Sequence, residues 1–264
     1  MQKVISLILS IAFLVSGFPS PALAASPLLT NLVSYWKMDD NSNDAVSSNN
    51  GSDTSMSYSA TGAIINHAAQ FNGSAKITVA HNSSLNLESI DSSISFWIRP
   101  TSVSGTQYIM WKGLYTALNS QWYVRLTSGK IQSAFSYNID SAYDYYPCNT
   151  TLSVNTLYHI VITHNASTRV MKIYINGTED GVTTLTSGGA PTTANTSALL
   201  FGVQNPTGLS DENFYSGSLD EAGIWTQRIL SQSEVSQLYN GGAGNAYPFS
   251  VASIFIPFRF FRPF

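Results

Sequence analysis

The sequence predicts an all-β protein of short antiparallel strands, arranged as a sandwich or a barrel. Three observations carry that expectation. Apolar residues recur at period two along several runs. Short turn-forming stretches separate the runs, and helical periodicity is missing until the last fifth of the chain. Composition agrees. The 264 residues are 44% hydrophobic and 12% aromatic, enough for a sizeable core. Charged residues make up only 10%, against roughly 25% in ordinary soluble domains. Ser, Thr and Asn fill the gap at about three residues in ten. Few long charged side chains and many β-branched, hydroxyl and aromatic ones disfavour an all-helical chain.

The strands follow in order. Ile94, Phe96 and Ile98 share one face, with Ser95, Trp97 and Arg99 on the other. Ile131, Ser133, Phe135 and Tyr137 align in the same way, as do Met171, Ile173 and Ile175. Trp97 and Phe135 are expected in the core. Thr127-Ser128-Gly129-Lys130 predicts a turn between Trp122–Leu126 and Ile131–Tyr137. Asn165-Ala166-Ser167-Thr168 predicts another between Tyr158–Thr163 and Val170–Ile175, and Asn176-Gly177 is a tight-turn signal. One short helix is signalled by the capping box Ser231-Gln232-Ser233-Glu234. Val235, Leu238 and Tyr239 give its apolar stripe, and Gly241-Gly242 ends it.

The N-terminus has the form of an export signal. Lys3 precedes an apolar run from Val4 to Val15, Pro19 and Pro21 break it, and Ala22-Leu23-Ala24 is a small-x-small cleavage site. Residues 1–24 are therefore expected to be removed, giving a secreted or cell-surface protein. The apolar run is too short for a membrane span. No linker or repeat divides the rest, so residues 25–249 are expected to form one domain, followed by an apolar, dibasic tail at 250–264. Cys148 is the only cysteine, so no intrachain disulfide can staple the fold. The net charge of −3 argues against a nucleic-acid partner.

Taken in order, these segments resemble a LamG-like domain of the concanavalin A-like lectin/glucanase superfamily. The likeness rests on Leu32-Val33-Ser34-Tyr35-Trp36-Lys37-Met38-Asp39, the polar loop Asn43-Asp44-Ala45-Val46 with Asn49-Asn50-Gly51, and Ala69-Gln70-Phe71-Asn72-Gly73. Ser84-Leu85-Asn86-Leu87 and Ile94-Ser95-Phe96-Trp97-Ile98-Arg99-Pro100 follow. Tyr158–Thr163, Ile173–Gly177, Phe214–Glu221 and Arg228–Tyr239 complete the pattern. The resemblance implies an antiparallel jelly-roll β-sandwich of two sheets, six or seven strands each, with one short C-terminal helix. It also implies a structural calcium site where the first strand meets the last, at positions matching Asp39, Asp44 and Asp220. The other reading of these acids is that they cap turns by accepting backbone N–H bonds.

Glycoside hydrolysis needs two carboxylates flanking the scissile bond. The hydrolase branch of this fold resembles Glu-x-Asp-x-Glu or its one-residue-longer variant, and no such run occurs. The pairs Asp39-Asp40, Glu179-Asp180, Asp211-Glu212 and Asp220-Glu221 are adjacent, so on regular strands their side chains point to opposite faces. His67, His81, His159 and His164 have no metal-ligand spacing. The expectation is a non-catalytic binding module. The alternatives are a hydrolase or lyase with degenerate motifs, and a structural surface protein with a protein partner. The expected ligand is a glycan or an extracellular-matrix or cell-surface group, as in adhesion. Aromatics and polar groups are densest from Tyr108 to Tyr146, which places the expected binding residues at Trp111, Tyr115, Asp140, Tyr143, Asp144 and Tyr145. Pro147 argues that Tyr143–Tyr146 is not a central strand.

Overall fold

The computed structural model describes residues 26–114, 121–136, 146–185, 196–205 and 210–249. The expected signal segment, the 250–264 tail, Tyr115, Tyr137, Asp140, Tyr143, Asp144 and Tyr145 lie outside the described residues. The strands are β1 (Leu32–Trp36), β2 (Gly51–Thr54), β3 (Ser57–Ser59), β4 (Ala68–Asn72) and β5 (Lys76–Val79). Next come β6 (Ser92–Pro100), β7 (Thr106–Lys112), β8 (Gln121–Thr127), β9 (Lys130–Ser136) and β10 (Tyr146–Pro147). Then follow β11 (Tyr158–His164), β12 (Val170–Ile175), β13 (Thr178–Thr184), β14 (Leu199–Phe201) and β15 (Ser216–Thr226). Helix α1 (Gln232–Tyr239) follows the last strand.

They form two antiparallel sheets. One runs β13-β12-β11-β6-β15-β4-β3, with β1 also on β15, and the other runs β10-β9-β8-β7-β14-β5-β2. The jelly-roll sandwich is thus as expected; among the described residues the second sheet has seven strands and the first has eight, one more than the six or seven the resemblance implies, because β1 adds to β15. The predicted hairpins form where the turn residues place them. Ser128 and Gly129 take positive φ between β8 and β9, and Asn176 and Gly177 do so between β12 and β13. Tyr146 and Pro147 make only a two-residue strand at a sheet edge, where proline's missing N–H is tolerated.

Alternation decides what each sheet buries. Ile94, Phe96 and Ile98 from β6 meet Trp122, Val124, Phe135, Phe201 and Trp36 in one continuous core. Each such side chain contributes about 1.5–3 kcal/mol by leaving water, which lets the fold stand without a disulfide. Cys148 is buried in that core and donates its thiol to the Thr150 carbonyl; burial pushes its pKa up to about 11.

The outer face of the eight-stranded sheet is covered by α1. Ser231 accepts from the Glu234 N–H, and the Glu234 carboxylate accepts from the Ser231 N–H, so the capping box is complete. Val235 and Leu238 join Leu230, Val161 and Trp225 in a second apolar cluster. Trp97 is buried, but here rather than between the sheets. Its ring stacks on Tyr239 at 5.8 Å and lies 4.9 Å from the His159 ring. The helix closes at Asn240, in the left-handed conformation, before the glycines.

Gly202 and Gly105 both take left-handed φ, +80° and +64°. A Cβ at Gly202 would lie 2.1 Å from the Phe71 ring, whereas one at Gly105 meets nothing within 4 Å. Gly105→Ala should therefore lower stability by ~1–2 kcal/mol of backbone strain alone. Gly202→Ala should lose about 1–3 kcal/mol more, because it also displaces core side chains. Urea unfolding of the two variants checks this; equal losses would contradict the packing described.

Candidate functional site: an outer-face depression and an acidic corner

The face of the seven-stranded sheet turned away from the core carries a row of side chains set by register. Thr78 pairs with Leu200, Leu200 with Trp111, Trp111 with Tyr123, and Tyr123 with Ala134. The row is apolar at its centre. Trp111 and Tyr123 stack with centroids 5.9 Å apart, and the Tyr108 ring meets both edge-on. Arg125 lies over the Tyr108 and Tyr123 rings and donates to the Tyr108 hydroxyl and to Gln132.

Where the row reaches β14 and β5, the surface sinks into a depression of about 380 Å³, lined in part by Trp111, Leu200, Thr78, Lys76, Asn205 and Asp211. Lys76 follows Thr78 onto this face by the period of two. Its ammonium pairs with the Asp211 carboxylate. The other Asp211 oxygen accepts from the Asn205 amide at 3.1 Å, and the Asn205 Oδ1 is buried without a hydrogen-bond partner. An apolar floor beside a carboxylate, an ammonium and an amide is the chemistry of a small polar-ligand site.

Of the six expected ligand-binding residues, Trp111 alone is described. It lines the depression, yet is only 1% exposed and donates its indole N–H to the Gly113 carbonyl. Lys76, Asn205 and Asp211 were not expected from sequence. They come from three separate stretches, none with a local motif.

The acidic positions behave differently from one another. Asp44 is saturated: it accepts from the N–H groups of Tyr35, Val46 and Asn49 and from the Ser47 hydroxyl. Burial alone would raise its pKa, but these donors hold it below the usual carboxylate range. Asp44 therefore acts as a turn cap and has no lone pair directed at a shared ion. Asp39 accepts from the His67 N–H and the Asn66 amide.

Asp220 and Glu221 depart from strand alternation. Strand β15 pairs with β4 through Ser216–Leu219 and with β1 from Ala222 onward. At that change of partner the β6 register slips between Asp220 and Gly223, and Glu221 takes φ +49°. This bulge, with both neighbouring carboxylates buried, breaks the regular alternation on which the expectation that they face apart depends. Asp220 Oδ2 accepts from the Ile64 and Ile65 N–H groups, while Oδ1 has no partner. The Glu221 carboxylate accepts from the Tyr35 hydroxyl. Burial first, then the charges of Glu221 and Asp39, push Asp220 up to about 8. Burial and Asp39 push Glu221 up to about 7.

Among the described residues, no three His, Cys, Asp or Glu side chains converge to hold a metal ion. The set Asp39, Asp44 and Asp220 is thus not assembled. The orphaned Asp220 oxygen, beside two further acids, still fits a hard cation completed by backbone carbonyls and water.

The raised pKa values set a pH dependence. The folded chain keeps protons that unfolded carboxyls release at ordinary acidic pH. In chelator, stability should be greatest below that range and fall as pH rises through about 7 and about 8. Asp220→Asn should flatten the fall. Urea midpoints from about pH 5 to about pH 9 check it; a profile that rises or stays flat would contradict the buried acidic pair.

Among the described residues, no helix is long and apolar enough to cross a membrane. No curated relative matches the chain. Solved structures do. One is domain 4 of AbnA, a GH43 extracellular arabinanase from Geobacillus stearothermophilus, in complex with arabinotriose. Its TM-score is 0.56 at 18% identity, over 78% of this chain and 97% of that one. The binding domain of Paraclostridial Mosquitocidal Protein 1 gives 0.61 at 22% identity, over 80% and 52%. The ligand binding domain of botulinum neurotoxin serotype D, in complex with N-acetylneuraminic acid, gives 0.60 at 18% identity, over 80% and 51%. The chain spans about half the length of these two toxin domains. At such identities the likeness is one of fold. Residues 71–236 match the laminin-G family model of the concanavalin A-like lectin/glucanase superfamily, and the chain belongs to that superfamily.

Proposed function

We propose that this chain is an exported, non-catalytic glycan-binding module, and that its sugar occupies the depression beside Trp111. The observation that carries the reading is the lining: an apolar floor to which Trp111 and Leu200 contribute their narrow exposed edges, against the Lys76–Asp211 pair and the Asn205 amide. Apolar surface suits the C–H face of a sugar ring, and the polar rim suits its hydroxyls. Two structural neighbours were solved with sugars bound, arabinotriose in one and N-acetylneuraminic acid in the other, which supports the class of ligand. Export is supported by the n-region, apolar run and cleavage site of residues 1–24.

The alternatives find less support. Among the described lining residues Asp211 is the one carboxylate, whereas hydrolysis uses two. The large exposed hydrophobics among the described residues are Val154, Val182 and Ile229, a number ordinary for a surface without a protein interface.

A glycan array probed with the mature chain tests the proposal. Asn205→Ala should weaken the best hit about tenfold, near the upper range for one hydrogen bond. Thr78→Trp, which fills the depression from β5, should abolish it. Binding that survives both substitutions would place the sugar elsewhere and overturn the reading.

A calcium ion at the acidic corner is a second part of the proposal, supported by the unpartnered Asp220 Oδ1. Asp220 would supply its free oxygen, with backbone carbonyls and water completing the shell, and the ion would neutralise the buried charge where β15 changes partner. Millimolar calcium should raise the melting temperature near pH 8, and Asp220→Asn should remove the gain. An unchanged melting temperature in the unsubstituted protein would rule out the ion.

A further inference from the structure

From the charges that line the depression, we infer that its ligand is an uncharged sugar rather than a carboxylated one. The inference rests on the glycan-binding reading above. It turns on how a sugar carboxylate is recognised: it needs a cation with donors free to face it. Among the described residues lining the depression, Lys76 is the one cation, and Asp211 already neutralises it. Outside the lining, Arg125 is engaged with the Tyr108 and Tyr123 rings and with Gln132, and on the opposite side of β7 from Trp111 by alternation lies Lys112. It is fully buried and donates to the Ser197 carbonyl. An incoming carboxylate would therefore meet Asp211 as a like charge, with no unneutralised cation among the described lining residues to offset the repulsion.

A neutral sugar meets the opposite situation. Asp211 has lone pairs beyond those used by Lys76 and Asn205, and accepts sugar hydroxyls. Asn205 steadies the Asp211 carboxylate by donating its amide N–H to it, which leaves the remaining lone pairs of Asp211 for sugar hydroxyls. The Lys76 ammonium has three protons and donates to a ring or hydroxyl oxygen while still paired. The Lys76–Asp211 pair is thus matched to O–H groups rather than to a charge.

Calorimetric titration of the mature chain separates the outcomes. The neutral probes are arabinotriose, xylotriose and cellotriose; the carboxylated ones are N-acetylneuraminic acid, sialyllactose and trigalacturonic acid. A neutral probe should bind at least about a hundredfold more tightly than any carboxylated one. Asp211→Asn removes the opposing charge and leaves Lys76 unneutralised. It should raise affinity for the carboxylated probes at least about tenfold and lower it for the neutral ones. Lys76→Gln, which offers no cation, should gain nothing for carboxylated probes, and serves should Asp211→Asn fail to fold. Preference for a carboxylated probe by the unsubstituted protein would overturn the inference while leaving the glycan-binding reading intact. Binding of no probe from either class would overturn both. Preference unchanged in Asp211→Asn would show that Asp211 does not face the ligand, and would also overturn it.

Discussion

The fold depends on one strand finding three partners. Strand β15 lies against β6 along its length on one edge and against β4 and then β1 on the other. It joins the two ends of the domain, and it stands in for the covalent closure that a chain with a single cysteine lacks. Its bulge is the geometric consequence. A strand that must switch partner along one edge is relieved by an extra residue, and that residue re-aims the side chains beside it. Asp220 and Glu221 are buried together at this point, so the most demanding electrostatics among the described residues fall where the sheet is joined.

The two outer faces of the sandwich have different fates. On the eight-stranded sheet, α1 covers Trp97, Val161 and Trp225, and those side chains serve stability. On the seven-stranded sheet, the row from Thr78 to Ala134 ends in a depression with a polar rim. Strand β5 holds Lys76, and the bridge between Gln204 and Glu212 holds Asn205 and Asp211, at spacings that preorganise the rim. On the proposed reading, structure and recognition are divided between the two faces of one sandwich, with a shared core between them.

Much of the fold was legible in the sequence because its causes are local. Period-two alternation in Ile94–Ile98 reports a strand with one core face. Asn176-Gly177 reports a turn through its positive φ, and the Ser231 capping box reports a helix start through two reciprocal hydrogen bonds. The site was less legible because its causes are not local. Trp111 stood out by aromatic density, but its burial follows from cross-strand neighbours Tyr123 and Leu200, which sequence spacing does not give. Asn205 and Asp211 are drawn together by the bridge between Gln204 and Glu212, and sheet order then brings Lys76 of β5 beside them. The reading of Asp220 and Glu221 as facing apart assumed a regular strand, and the change of partner that breaks regularity has no signature in Leu219-Asp220-Glu221-Ala222. Asp44 matched a family position by order in the chain, yet the tight loop around it uses every lone pair for backbone N–H groups and a hydroxyl.

The central claim is that the outer-face depression is where a ligand binds. Amide chemical-shift mapping of the isotope-labelled protein, titrated with the best-binding oligosaccharide, tests it most directly. The account predicts shifts concentrated at Lys76, Thr78, Leu200, Asn205 and Asp211, with the indole signal of Trp111 moving and that of Trp97, under α1, staying still. Shifts clustered around α1 or the β15 bulge, with the depression silent, would contradict it.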